Sequence, residues 1–224
     1  MADYNMELLS LPAADDPALV DQFFRTLGYT YFGVADIAEV YAIGHRLPPG
    51  DAEGQYETWR AAARHYLELG ERKLAAGRKV SARRAFLRAA EYHRASHFQL
   101  REDLWDPAVL IAVEDMMRAA DAGYALAADY DARRIAIPFE GKELLGLVFA
   151  RNGEWSVPRP TIFAFTGYDS FVEGPISSPP SRTRSRGATT SPSSTARVRV
   201  IRYCATGCSC VRTTRRRCRP ASTG

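Results

Sequence analysis

After Glu173 the chain contains no Asp, Glu or Lys, yet it holds 11 Arg and all four Cys among runs of Ser, Thr and Pro. A segment of that kind has too little apolar surface and too much charge of one sign to bury a core. The tail is therefore expected to be disordered, and folded structure is expected only before it. From Phe171 onward the formal charge is +10 against +4 for the whole chain, which leaves residues 1–170 at −6. The pI of 8.9 thus belongs to the tail, and averages of 46% hydrophobic and 25% charged residues hide the break. A length of 224 residues allows one large domain or two small ones.

Residues 16–126 read as helices. Asp16-Pro17 and Asp106-Pro107 each set a capping Asp before a Pro at the first helical position. Between them, GQYETWRAAARHYLELGERKLAAG aligns Tyr56, Trp59, Ala63, Tyr66, Gly70 and Leu74 on one helical face. Gly77 is expected to stop that helix and Ser81 to cap the next, SARRAFLRAAEYHRASHF, closing a helical hairpin.

The period changes after Asp129. In RRIAIPFEGKELLGLVFAR, Ile135, Ile137 and Phe139 alternate with their neighbours, and Glu140-Gly141-Lys142 turns into a second apolar run, the pattern of a β-hairpin. Asn152-Gly153 marks another turn. TIFAF, after Pro158-Arg159-Pro160, predicts a short strand buried on both faces. No periodicity survives beyond Glu173.

The local signals for other chemistry are weak. His93 and His97 stand four apart on one helix, a spacing open to a metal. They share their face with Phe86 and Ala90, and no Glu follows the first His as in zinc proteases. Packed histidines and a metal pair are both open readings, the first favoured, so no metal or other cofactor is assigned. His45 and His65 are equally unspecific. ERKLAAGRKVSARR reads as a nucleic-acid patch or as the solvated end of the helical hairpin, and the acids spread among its bases favour the second. Cys204, Cys208, Cys210 and Cys218 lack the paired C-x2-C spacing of a zinc ribbon. MADYNMELLSLPAADDP has no basic start followed by an apolar run, and no apolar stretch reaches bilayer-spanning length. The expected location is the cytoplasm, without a membrane partner.

SARRAFLRAAEYHRASHF, FGVADIAEVYAIGHRL, the Trp59 helix and DLWDP together resemble the helical cap of a group of bacterial α/β-hydrolases. That group includes the 2,6-dihydroxypseudooxynicotine hydrolases and the fermentation–respiration switch proteins. RRIAIPFEGKELLGLVFAR and RPTIFAFTGYDSFVE resemble the start of their catalytic sheet, and the similarity spans roughly residues 16–173. The resemblance implies an α/β-hydrolase fragment. It would comprise a helical cap over 16–126, then a β-hairpin and one strand opening the core over 130–173, then a disordered basic tail over 174–224.

Family members continue with a motif like FDGPGQG and then a segment containing RPD, and neither is present. A shifted reading frame supplies both. With synonymous codons TCT-TCG-ACG-GCC-CGG-GTC-AGG-GTG for Ser193 to Val200, reading from the last base of each codon gives Phe-Asp-Gly-Pro-Gly-Gln-Gly. Codons TGC-GTC-CGG-ACT-ACG for Cys210 to Thr214 give Arg-Pro-Asp-Tyr in the same frame. A GC-rich gene read out of frame also yields Arg, Ser, Pro, Thr and Cys. The expected break lies near Glu173 or Gly174, truncating the hydrolase.

The resemblance implies a serine hydrolase acting on an ester or on a carbon–carbon bond next to a carbonyl, with a helical cap that shapes the pocket for a small-molecule substrate. It also allows a homo-oligomer built through the cap. No catalytic residue is present in the chain as written. There is no G-x-S-x-G, Gly207-Cys208-Ser209-Cys210-Val211 lacks the last Gly, and all four His precede the sheet. Gly167 and Tyr168, in the loop after TIFAF, stand where the family supplies an oxyanion-hole N–H, and a plain strand-ending turn is the other reading. Two further classes remain open. One is a helical-hairpin binding module resembling tetratricopeptide proteins, although no second copy recurs at a fixed period. The other is nucleic-acid binding through the basic tail.

Overall fold

The computed structural model describes residues 15–151, 153–156, 158, 161–164, 171, 173 and 196–200. Five α-helices come first: α1 Pro17–Gly28, α2 Ile37–Gly44, α3 Ala52–Ala75, α4 Lys79–Ser96 and α5 Pro107–Tyr124. Four begin at an Asp. Asp16, Asp36, Asp51 and Asp106 each accept a hydrogen bond from a backbone N–H of the first turn. Asp16 also accepts from the Gly50 N–H at 3.1 Å and from the Gln55 side chain, so one carboxylate caps α1 and ties it to the entry of α3. These backbone donors hold its carboxyl below the usual range.

α3 and α4 form the expected hairpin, and Gly77, at φ +72°, ends α3. The Arg78 N–H returns to the Lys73 carbonyl at 2.9 Å, so the chain reverses within two residues. α4 therefore starts at Lys79, and Ser81 lies inside its first turn rather than capping it. Arg78 occupies the cap position and makes no side-chain cap bond. Tyr56, Trp59, Ala63 and Gly70 are buried along α3 as expected, whereas Leu74 is 40% exposed because the helix there has run past its partner. Residues 71–81 form a solvated end in which only Lys73 is partly covered.

α4 is the centre of the molecule. Every residue from Ala89 to His97 is buried. One side meets Leu19 and Phe23 of α1, Val40 and Ile43 of α2 and Trp59 of α3. The other meets Val113, Met116 and Ala120 of α5 and Leu147 and Phe149 of the sheet. Alanines at 82, 85, 89, 90 and 95 let neighbouring helices approach closely. The closest approach is at Gly70, where an added Cβ would lie 2.5 Å from the buried ring of Phe86. Gly70→Ala is expected to destabilise the protein by about 1–3 kcal/mol through overpacking, outweighing the roughly 1 kcal/mol by which Ala favours a helix. A thermal melt checks this, and a raised midpoint would mean that Phe86 moves aside freely.

The chain then enters a sheet of order β1-β2-β4-β3, with β1 Tyr130–Phe139, β2 Lys142–Arg151, β3 Thr161–Ala164 and β4 Ala196–Val200. β1 and β2 are an antiparallel hairpin in the register Tyr130↔Arg151 to Phe139↔Lys142. Its two-residue turn places Glu140 at φ 48° and Gly141 at φ 73°. That left-handed pair matches the twist of the strands it joins. The face that meets α5 carries Leu147 and Phe149, with the Tyr124 and Phe149 rings edge-on at 5.5 Å. Ile135 and Ile137 lie on the other face, packed over Gly146, and Phe139 is 40% exposed.

β4 antiparallel to β2 and parallel to β3 completes the sheet. The sequence predicts disorder throughout 174–224, and Ala196–Val200 differs. Its alternation of Val with Arg has the period of a strand, and it fills the slot between β2 and β3. β3 accordingly has a partner on one side. The rest of the tail lies outside the described residues.

Candidate active site at the junction of helices and sheet

Gly167 and Tyr168, the oxyanion-hole candidates, lie outside the described residues, as do the four Cys. Two residues shortly after them are described and are fixed firmly. Phe171 is buried, with its ring 5.2 Å from that of His97 at the end of α4. The carboxylate of Glu173 is 3% exposed and accepts from Arg134 of β1 at 2.6 Å, while Arg134 also donates to Asp121 of α5 at 2.8 Å. Burial pushes the Glu173 carboxyl up and Arg134 opposes that shift. The chain after β3 is thus returned to α4, α5 and β1 by one aromatic contact and one buried ion pair.

His93 and His97 are both 1% exposed. Nδ1 of His97 lies 3.2 Å from the His93 carbonyl, and among the described residues His97 Nε2 and both ring nitrogens of His93 have no hydrogen-bond partner. Burial lowers both pKa values. Among the described residues no group of three or more His, Cys, Asp or Glu is placed to hold a metal. The pair is part of the core, and its spacing of four reflects one buried helix face.

A cleft of about 730 Å³ opens at the other end of α4. Its walls are the turn at Tyr31 and Phe32, the start of α2, Arg83, Arg84 and Arg88 of α4, and Asp129-Tyr130 where β1 begins. No sequence pattern points to it, because its walls come from three separate stretches of chain.

No family model matches the chain. Among curated proteins, a hydrolase of Aspergillus aculeatus named AcrC is 37% identical over 119 residues, covering 53% of this chain and 28% of the relative. The 20-hydroxy-prefusarin hydrolase FUS2 of Gibberella moniliformis is 32% identical over 155 residues, covering 68% and 37%. The 2,6-dihydroxy-pseudo-oxynicotine hydrolase structure superposes with a TM-score of 0.52 at 17% identity, over 78% of this chain and 44% of that one. The chain is similar to these hydrolases, and its fold matches part of an α/β-hydrolase. As a fragment of that fold it supplies the helical domain and the opening strands. It matches about a third of the length of these curated relatives. The α/β-hydrolase resemblance drawn from its residues therefore holds for the fold, and both of these relatives are fungal rather than bacterial. Among the described residues no helix is long and apolar enough to cross a membrane.

Proposed function

We propose that this chain is the helical cap and the first core strands of a cytoplasmic serine-type α/β-hydrolase, and that residues 174–224 are translated out of frame. In the intact enzyme the substrate would be a small ester or a molecule with a carbon–carbon bond next to a carbonyl. A Ser on a strand-to-helix turn would attack, a His would move the proton, and the N–H groups near Gly167 and Tyr168 would steady the oxyanion. The cap would exclude water and offer a surface for a second copy. The chain as written carries no Ser in a G-x-S-x-G and no His after the sheet, so it is expected to be hydrolytically silent.

The observation that carries this reading is a helical domain running straight into a hairpin-led sheet, in a chain whose relatives are hydrolases. The position of the break has separate support. Up to Glu173 the chemistry is coherent: Phe171 is buried and Glu173 is paired.

The test is to sequence the coding DNA from codon 165 past the stop, then express the frame that reads FDGPGQG. Expected are a downstream G-x-S-x-G, a later His, and hydrolysis of p-nitrophenyl acetate that the present chain lacks. Replacing that Ser by Ala should lower kcat at least about a thousandfold. If no frame contains those motifs, the tail is native and the out-of-frame reading is wrong.

A further inference from the structure

The cleft between Tyr31, Arg84 and Tyr130 lies at the end of the sheet where β1 begins. β1 and β3 run the same way, since β2 is antiparallel to both β1 and β4 while β4 is parallel to β3. Ala164, at the end of β3, shares its row with Arg199, Leu147 and Arg134. Tyr130 lies four residues back towards the start of β1, about 13 Å at 3.3 Å per residue. β3 runs away from the Tyr130 row towards Ala164. The cleft is therefore at the end of the sheet where β1 and β3 start.

Its charges are unevenly paired. Arg88 is matched by Glu39 and by Asp36. Arg83 donates to the Tyr130 hydroxyl at 2.8 Å, a neutral partner, and its guanidinium stands 5.7 Å from that ring. Among the described residues no carboxylate pairs with Arg83, and the exposed Arg84 has neither hydrogen bond nor ion pair. Asp129 is the one acid at the rim that is likewise unpaired among the described residues, so two guanidinium groups face one carboxylate. Beside them stands an aromatic pair in the open, Tyr31 at 85% and Phe32 at 43% exposure, with rings edge-on at 5.2 Å.

The geometry points to a binding site for a carboxylate carried on a planar apolar body. The carboxylate accepts from Arg84 and Arg83, and the body lies along Tyr31 and Phe32. Arginine favours a carboxylate because its planar fork matches two oxygens at once. The aromatic pair favours a flat partner because rings stack offset or edge-on. The volume lies within the range of small-ligand sites. This site requires no hydrolytic activity and belongs to the chain as written.

The test titrates the full chain at low salt with 2-naphthoate and, separately, with the neutral 2-naphthylmethanol, following chemical shifts of backbone amides. Naphthoate is expected to bind about tenfold more tightly than the alcohol, as one charge-assisted hydrogen bond provides. Its shifts should centre on residues 30–37 and 83–88. Arg84→Gln, at an exposed side chain with nothing to lose in the fold, should remove most of that preference, and Arg84→Lys should restore only part of it. Tyr31→Ala should weaken both probes alike. Equal affinity for the two probes, a preference unchanged in Arg84→Gln, or inorganic phosphate competing as well as naphthoate would each overturn the assignment.

Discussion

Arg94→Met is expected to destabilise the helical domain by roughly 3–5 kcal/mol, the usual cost of leaving a buried charge without its partner. Arg94 and Glu91 are each 3% exposed at the side chain and pair at 2.6 Å within α4. Nε of Arg94 also donates to both Glu91 oxygens at 2.9 Å, Nη1 to the Gln22 side chain at 3.0 Å, and Nη2 to the Thr26 hydroxyl at 3.0 Å. The guanidinium lies 5.5 Å from the Tyr29 ring. One cation thus joins α4 to α1 and to the turn after it. Ion-pair formation itself contributes little, because desolvating two charges costs about as much as their attraction returns. Removing one member alone is the expensive change, since the remaining buried Glu91 carboxylate keeps only the Thr26 hydroxyl, at 3.2 Å, as a donor among the described residues. The double variant Glu91→Leu, Arg94→Met is therefore expected to recover much of the loss, with only Gln22 and Thr26 left short of partners. Urea unfolding of the three proteins checks this. A single variant within about 1 kcal/mol of the parent would mean that the pair is hydrated.

That network also marks where the sequence ceases to be readable. Helix starts at Asp16 and Asp106 are visible because a Pro follows each. Asp36 and Asp51 cap just as well and go unnoticed without that flag. The α3–α4 hairpin is legible from Gly77, and the face that His93 shares with Phe86 and Ala90 favours packing. The spacing of α4 does not show that Glu91 and Arg94 are buried as well, because the cover comes from other helices. The hairpin of β1 and β2 is legible from its turn, whereas the buried face is not. Alternation singles out Ile135 and Ile137, yet the face towards α5 includes Arg134, which sits there because Asp121 and Glu173 neutralise it. Apolar pattern predicts burial only where charges have no partner to meet inside, and the partner here is 39 residues away in sequence.

The cleft fails to show in the sequence for a related reason. Arg83 and Arg84 read as part of a solvated helix end, and no motif ties Tyr31 and Phe32 to them. Only the fold sets them side by side. Motif spacing captures chemistry organised along one helix or loop, and this surface is organised across a turn, a helix and the first residue of a strand.

Acid is expected to unfold the protein at a pH well above the range where most carboxylates titrate, and His93 and His97 are the reason. Burial lowers His93 to about 4 and His97 to about 3 from the ordinary 6.5. For His93 the nearby carboxylate of Asp115 pulls the other way, while Arg60, Arg118 and Arg64 reinforce the shift; for His97 the His93 carbonyl opposes it, and Arg94, Arg101 and His93 itself reinforce it. A neutral imidazole is thus favoured in the fold, and the unfolded chain binds protons first. Stability from this source is complete above pH 6.5 and falls as the pH drops from there towards 4. Each histidine contributes a slope that approaches about 1.4 kcal/mol per pH unit. Two together remove several kcal/mol over that window, comparable with the roughly 5–15 kcal/mol that holds a domain folded. Glu173 acts in the opposite sense, since its raised pKa lets the fold take up a proton early, but it is a single group against two. Urea midpoints measured from about pH 7.5 to 4 should fall steeply below the ordinary histidine pKa of about 6.5 in the parent. In the double variant His93→Gln, His97→Gln the curve should be lower at neutral pH yet far flatter. Parallel curves for the two proteins would show that the histidines titrate alike in both states and that acid acts elsewhere.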